Sequence, residues 1–468
     1  MTYQTINPAT GLTVKTYPEI SDTDLENALA TAQACFETDW RHRSVADRAR
    51  IVSGAAATLR ENAEEYARYI TLEMGKLIGT ARAEVALSAD ILDYYATHAE
   101  AFLNPRAIHE SPGAVLETRP LGIILGIEPW NFPYYQIARV AGPQLMVGNV
   151  LLLKHAENVP QCALAFARLF ELAGAPPGAY TNIFASLNQI GRVIEDSRVC
   201  GVTVTGSERA GAAVAERAGR HLKKSVMELG GSDPFLVLED APLEASIDAA
   251  IFGRMFNTGQ SCVSSKRIIV IGKKRGKAFL DGFVQRMAAL MAGNPEDSAT
   301  TLGPISSERA MDLLLKQIDD AKAGGASVVL GGGRIDRPGF YIEPTVLTDI
   351  DENNPIYSQE LFGPVASYYV VDSEEEAIKL ANATPFGLGA SVFTADVDHG
   401  RRIAERIDSG MVFVNQPAWT APQLPFGGIK NSGFGRELSE LGFGEFVNRK
   451  LINVAPAGSP FWGPIAAK

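Results

Sequence analysis

Cysteine is scarce: Cys35, Cys162, Cys200 and Cys262 are the four thiols in 468 residues, and no pair has the C-x-x-C spacing of a zinc or redox site. No disulfide framework is expected, and a reducing, cytoplasmic setting fits best. The six histidines show neither H-x-x-x-H nor H-E-x-x-H spacing, so no catalytic metal is expected. Long apolar runs are missing, with nothing approaching the ~18 consecutive residues of a spanning helix. Residues 1–8 have neither the basic start nor the apolar stretch of a leader, so neither secretion nor a membrane partner is expected. Positive charge is in deficit, with 43 Lys and Arg against 54 Asp and Glu and a net charge of −11, so no global field gathers nucleic acid. A complete G-x-G-x-x-G loop and a P-loop are both absent.

What is present describes an ordinary globular chain. Hydrophobic residues make up 46% and charged residues 21%, and at ~150 residues per domain the length predicts two or three cores. Apolar positions at Leu25, Ala28, Leu29, Ala32 and Phe36 recur at helical spacing behind a Ser21 cap. Helical patterns continue over 45–76, with a break near Asn62, and over 81–102. Residues 113–120, ended by Pro120, read as an extended ribbon in a projecting hairpin.

Short apolar runs at 121–127, 150–154, 199–205, 234–238 and 268–271 alternate with helical patterns, which predicts an α/β fold with a parallel sheet. A second alternating region over 243–415 predicts a second α/β unit. Residues 450–454 read as a late strand that adds to another sheet edge, with another subunit's edge as a candidate.

Several segments could carry chemistry. Cys262 follows the polar, glycine-containing segment Phe256-Asn257-Thr258-Gly259-Gln260-Ser261, where loop N–H donors can lower a thiol pKa and make it a nucleophile. A buried apolar thiol is the alternative at this position, and the other three cysteines sit in apolar helix or strand patterns. Glu228, between Met227 and the Leu229-Gly230-Gly231 segment, reads from the residues alone as a solvated helix end, with a partly desolvated general base as the functional alternative. Thr205-Gly206-Ser207 joins a strand to a helix whose N-terminus could receive a pyrophosphate, or is simply a capped turn. Lys154 and Glu157 offer a cation and a carboxylate at a sheet edge, or form a surface ion pair, and Pro129-Trp130-Asn131-Phe132-Pro133 suits an amide aimed at an oxyanion or a structural proline turn.

Together these segments closely resemble the NAD(P)-dependent aldehyde dehydrogenase superfamily. PWNFP at Pro129, the strand ending at Lys154, TGS at Thr205, MELGG at Met227, NTGQSC at Asn257, ELFGP at Glu360 and PFGGIKNSGFGRE at Pro425 stand in the family's order over nearly the whole chain. The resemblance implies two parallel-sheet α/β domains and an oligomerisation segment. The cofactor-binding domain would take residues 1–102 and 121–229, the catalytic domain 230–428, and the hairpin with the C-terminal strand 103–120 and 446–456.

It implies that Cys262 attacks an aldehyde, that Asn131 and the Cys262 N–H hold the oxyanion, and that Glu228 activates the water that hydrolyses the thioester. Lys154 and Glu157 would contact the adenosine ribose, Gly206 and Ser207 would lie near the pyrophosphate, and Glu360 would bind the nicotinamide ribose. Trp130, Leu229 and Phe362 would complete the cofactor pocket. The cofactor expected is NAD in preference to NADP, because the Glu157 carboxylate would face a 2′-phosphate, although Lys154 pulls the other way.

Within the superfamily the chain most resembles succinate-semialdehyde dehydrogenases. Arg139, nine positions after Trp130, stands where these carry an arginine for the substrate's distal carboxylate. A second arginine of some members is Phe256 here, and Thr420 could supply a hydroxyl instead, with Phe426 in the substrate pocket. Ser264 stands where some members carry a regulatory cysteine. The expected substrate is succinic semialdehyde, with a broader aliphatic or glutaric semialdehyde specificity as the alternative, and the expected assembly is a homodimer or homotetramer.

Overall fold

The computed structural model describes residues 3–111 and 113–459. Met1, Thr2 and Pro112, which fall inside the ranges drawn for the cofactor domain and the hairpin, lie outside the described residues. The described chain opens on an antiparallel pair absent from the expected elements, β1 (Tyr3–Asn7) and β2 (Leu12–Tyr17), turned at Gly11 with φ +75°. Four helices follow: α1 (Asp22–Thr38), α2 (Val45–Glu61), α3 (Ala63–Met74) and α4 (Ile78–Leu103). Ser21 caps α1 by accepting from the Asp24 N–H at 3.0 Å, and Leu25, Leu29, Ala32 and Phe36 are buried on one stripe. Asn62 separates α2 from α3. The hairpin then forms from β3 (Arg106–Ala107) and β4 (Ala114–Pro120).

The first large sheet contains the parallel strands β5 (Ile123–Glu128), β6 (Val150–His155), β7 (Tyr180–Asn182), β8 (Val199–Thr205) and β9 (Lys224–Glu228), in the order β9-β8-β5-β6-β7. All six residues of β6 are buried, as expected of a strand covered by helices on both faces. The connections run through α5 (Pro133–Val147), α6 (Pro160–Leu172), α7 (Leu187–Glu195) and α8 (Glu208–Arg220). β5 starts two residues later than its apolar run, because the Leu121 and Gly122 N–H groups donate to Asn149 Oδ1 at 2.7 and 3.0 Å rather than to a strand. The chain moves outward from β5 to β7 and returns to β8 on the other side of β5. This reversal leaves a crevice beyond the carboxyl ends of β5 and β8, the usual ligand position in such sheets.

From Asp233 the chain enters a second sheet of β10 (Asp233–Val237), β11 (Ser265–Ile271), β12 (Ser327–Leu330), β13 (Thr345–Thr348), β14 (Val365–Val371), β16 (Gly389–Phe393) and β17 (Met411–Val414). Its order is β12-β13-β14-β11-β10-β16-β17, parallel except where β12 meets β13. The helix α9 (Leu243–Met255) leads from β10 to the Cys262 loop. The short strands β15 (Phe386–Gly387) and β18 (Ile429–Lys430) pair, and β19 (Gly433–Phe434) joins β9 at the edge of the first sheet. The architecture is therefore α/β, with two largely parallel sheets. The last strand, β20 (Val447–Asn453), adds to a sheet edge as expected, pairing antiparallel with the whole of β4 in its own chain.

Candidate active site

The crevice between the ends of β5 and β8 opens into a cavity of about 230 Å³, and Cys262 is part of its wall. Of the residues expected to meet a cofactor, Trp130, Gly206, Ser207, Leu229, Glu360 and Phe362 share this cavity, and Asn131 lines it too. Trp130 and Phe362 meet edge to face with ring centroids 5.7 Å apart. Ser207 is the N-cap of α8, so a helix N-terminus with its positive end stands at the cavity wall. Lys154 and Glu157 lie outside the cavity, at the end of neighbouring β6, with Nζ 2.6 Å from Oε1.

A second cavity of about 110 Å³ is also lined by Cys262. Its wall is aromatic, with Phe132, Tyr135, Phe252, Phe256, Trp419 and Phe426, and Thr420, Ser261 and Ser264 add hydroxyls. The Tyr135 and Thr420 hydroxyls are 2.8 Å apart in a mutual hydrogen bond, whereas the buried Ser264 Oγ has no partner among the described residues. Cys262 and Gln136 line both cavities.

Local strain delivers the thiol to this junction. Asn257 and Thr258 both have φ 56°, a region that β-branched threonine rarely adopts. Tertiary hydrogen bonds hold the turn. Asn257 Nδ2 donates to the carbonyl oxygens of Asn131 at 2.9 Å and Gln260 at 3.0 Å, and Asn131 Nδ2 donates to the same Gln260 oxygen at 3.2 Å. Gln260 Oε1 accepts from the Ser306 N–H at 2.9 Å. Burial pushes the Cys262 thiol up to about 12, against the opposing pull of Arg139 and Lys266.

Glu228 ends β9 with its carboxyl buried against Gly427, and neither oxygen has a hydrogen-bond partner among the described residues. It lines neither cavity. Burial, and then the nearby Glu437 carboxylate, raise its pKa well above the usual range, while Arg139 pulls it down.

Arg139 departs from the expected role. It lines neither cavity, because its guanidinium is fully buried behind Tyr135 and Phe426, at 4.8 and 4.5 Å from their ring centroids. Nε lies 2.7 Å from Glu437 Oε2, Nη2 donates to Thr205 Oγ1 at 3.1 Å, and Nη1 donates to the Tyr135 hydroxyl at 3.4 Å. Such a guanidinium is already committed. Thr420 and Phe426 do line the aromatic cavity.

The pattern-based reading missed Tyr135, Gln136, Lys266 and Glu437. Tyr135 and Gln136 lie in an all-buried helix whose periodicity marks no functional face. Lys266 offered one signal, a charge at the head of an apolar strand. Among the described residues no helix is long and apolar enough to cross a membrane, and no three His, Cys, Asp or Glu side chains are grouped to hold a metal ion.

The aldehyde dehydrogenase family profile matches residues 1–452. A protein of Deinococcus radiodurans named succinate-semialdehyde dehydrogenase [NADP(+)] is 50% identical, over 97% of this chain and 95% of its own. A protein of Mycobacterium tuberculosis named succinate-semialdehyde dehydrogenase [NADP(+)] 1 is 44% identical, over 97% of this chain and 100% of its own. Among solved structures, succinic semialdehyde dehydrogenase from Streptococcus pyogenes in complex with NADP+ matches with a TM-score of 0.95 and 44% identity, covering 97% of this chain and 100% of that one. The family match over nearly the full length joins the thiol at a two-cavity junction, and the chain belongs to the aldehyde dehydrogenase family.

Proposed function

We propose that this protein oxidises succinic semialdehyde to succinate, with NAD(P)+ as the hydride acceptor and Cys262 as the nucleophile. The observation that carries this reading is the position of Cys262, which lines both an aromatic cavity suited to an aldehyde and a cavity that ends at a helix N-terminus. The names of relatives at 44 and 50% identity support the substrate.

The first sheet and its helices would hold the cofactor, with Trp130, Leu229 and Phe362 around the nicotinamide, Glu360 on its ribose, Gly206 and Ser207 at the pyrophosphate, and Lys154 and Glu157 at the adenosine ribose. When bound, the nicotinamide accepts the hydride. The second sheet would carry the nucleophile.

In this scheme the Cys262 thiol first gives its proton to solvent water, and its sulfur then attacks the aldehyde carbon while the carbonyl electrons move to oxygen. Asn131 Nδ2 and the Cys262 N–H donate to that oxyanion. Its collapse releases the hydride and leaves a thioester. Glu228, turned from Gly427 toward the thioester, takes a proton from water as the water oxygen attacks, and the C–S bond breaks to give the acid and the thiolate. Because burial raises the Glu228 pKa, the hydrolytic step should keep accelerating with pH beyond the ordinary carboxylate range as the base form accumulates. Glu228→Gln should slow that step about 10²–10⁴-fold and leave the first turnover of reduced cofactor as a burst. A mutant with no burst and no accumulated thioester would assign the base elsewhere.

With Arg139 committed to Glu437, the Tyr135, Thr420 and Ser264 hydroxyls are the groups offered to a distal carboxylate. The kcat/KM values for succinic semialdehyde, glutaric semialdehyde and butanal test the substrate, and succinic semialdehyde should rank first. The aromatic wall favours a second reading, a broader aliphatic or glutaric specificity, which equal values would select.

The relatives' names give NADP(+), so they lend no support to the NAD preference expected from the sequence. The local chemistry favours NAD. Lys154 is paired with Glu157 at 2.6 Å, and that carboxylate would face a 2′-phosphate dianion, a like-charge contact that costs several kcal/mol. Higher kcat/KM with NAD is expected, and Glu157→Ser should narrow the difference; a clear NADP preference of the unmodified protein would contradict this. A homodimer or homotetramer, built on the outer edge of β20 where Leu451 is 59% exposed, and a cytoplasmic setting for the four free cysteines complete the proposal.

A further inference from the structure

Lys266 lies at the head of β11, four residues after Cys262, and is 1% exposed. An ammonium has three N–H donors. Here they meet the Ser261 carbonyl oxygen at 2.8 Å, the Cys262 carbonyl oxygen at 2.8 Å and Glu360 Oε1 at 3.0 Å. Glu360 Oε1 also accepts from the Gly231 N–H at 3.1 Å, three residues beyond Glu228. One buried side chain thus ties the peptide groups on both sides of the thiol to the wall of the cofactor cavity.

The direction of these bonds matters. The carbonyl of Ser261 and the N–H of Cys262 belong to one peptide group, and no peptide bond among the described residues is cis. In a trans peptide the two vectors point in opposite directions. Holding the carbonyl on Lys266 therefore aims the Cys262 N–H away from the ammonium, and holding the next carbonyl prevents the loop from rotating about Cys262.

We propose that Lys266 is a positioning residue: through the Ser261 and Cys262 carbonyls it fixes the Cys262 N–H as an oxyanion donor, and through Glu360 it links that geometry to the cofactor cavity. Its charge also acts on the thiol in the direction that favours the thiolate. The inference rests on the reading of Cys262 as the nucleophile.

Lys266→Met keeps the length and apolar stem and removes both the donors and the charge. It is expected to lower kcat about 10²–10³-fold, the usual loss for one oxyanion donor. The pH profile for alkylation of Cys262 by iodoacetamide should move to higher pH, and KM for the cofactor should rise. Lys266→Arg should restore the alkylation profile and part of kcat. A folded Lys266→Met protein with kcat within threefold of the parent (about 0.65 kcal/mol) and an unchanged alkylation profile would overturn the proposal. So would loss of thermal stability with neither readout moved. If Lys266→Met does not fold, Lys266→Gln, neutral but still a donor, is judged by its alkylation profile: an upward shift supports the proposal and an unchanged profile overturns it. Retained turnover in Cys262→Ala would instead defeat the reading of the nucleophile, whatever the Lys266 variants do.

Discussion

Cys262→Ala is expected to lower kcat for aldehyde oxidation by at least about 10⁴-fold, as removal of a covalent nucleophile typically does, while leaving a folded protein that still binds cofactor. The geometry explains the size of the effect. Cys262 is the thiol that lines both cavities, and an alanine methyl there forms no bond to an aldehyde carbon. The three other cysteines are placed differently. Cys35 is buried in α1, Cys162 is buried in α6 beside Glu73, and Cys200 is half-buried near the start of β8. Cys35→Ala, Cys162→Ala and Cys200→Ala should therefore retain turnover, with any loss appearing in stability. Turnover assays on the four purified variants, beside cofactor-binding titrations, check the result; comparable losses in all four would remove the special role of Cys262.

Arg139→Ala is expected to destabilise the fold by about 3–5 kcal/mol, the usual cost of removing one partner from a buried ion pair, and to lower turnover of charged and uncharged aldehydes together. Arg139 is the cation beside three buried carboxyls, Glu128, Glu228 and Glu437. Without it they repel one another in a dry interior, and Thr205 and Tyr135 lose a donor. Burial already raises the Glu437 pKa despite Arg139. A carboxyl whose folded pKa lies above its unfolded value favours folding while protonated, and that contribution is lost as pH rises through the window between the two values. The stability deficit of Arg139→Ala should therefore be larger at alkaline than at acidic pH. Thermal unfolding across pH, with kcat/KM for succinic semialdehyde and butanal, checks both parts. A selective loss of succinic semialdehyde turnover in a stable protein would return Arg139 to the substrate carboxylate.

Arg139 also shows where sequence reading stops. Its place on α5 follows from spacing, but the direction of its guanidinium depends on Glu437, 298 positions away in sequence, which packs against it only after β19 has joined β9. Strands buried on both faces were legible because an apolar run such as β6 has few alternatives. The motif residues of the cofactor cavity were legible because they fall at the ends of those strands. Lys266 was not, since its three partners come from its own loop and from Glu360, and no periodicity encodes them. The pairing of β20 with β4 was half legible: the strand shows in the sequence, whereas its partner is decided by the path of the chain between Phe434 and Val447.

In the proposed reaction an aldehyde becomes a thioester on Cys262 where the two cavities meet. Intact-protein and peptide mass measurement of Glu228→Gln, mixed with succinic semialdehyde and NAD+, tests it most directly. One succinyl group per chain on the Cys262 peptide, formed only when NAD+ is present, is the predicted result. No adduct, or an adduct on Cys35, Cys162 or Cys200, would contradict it.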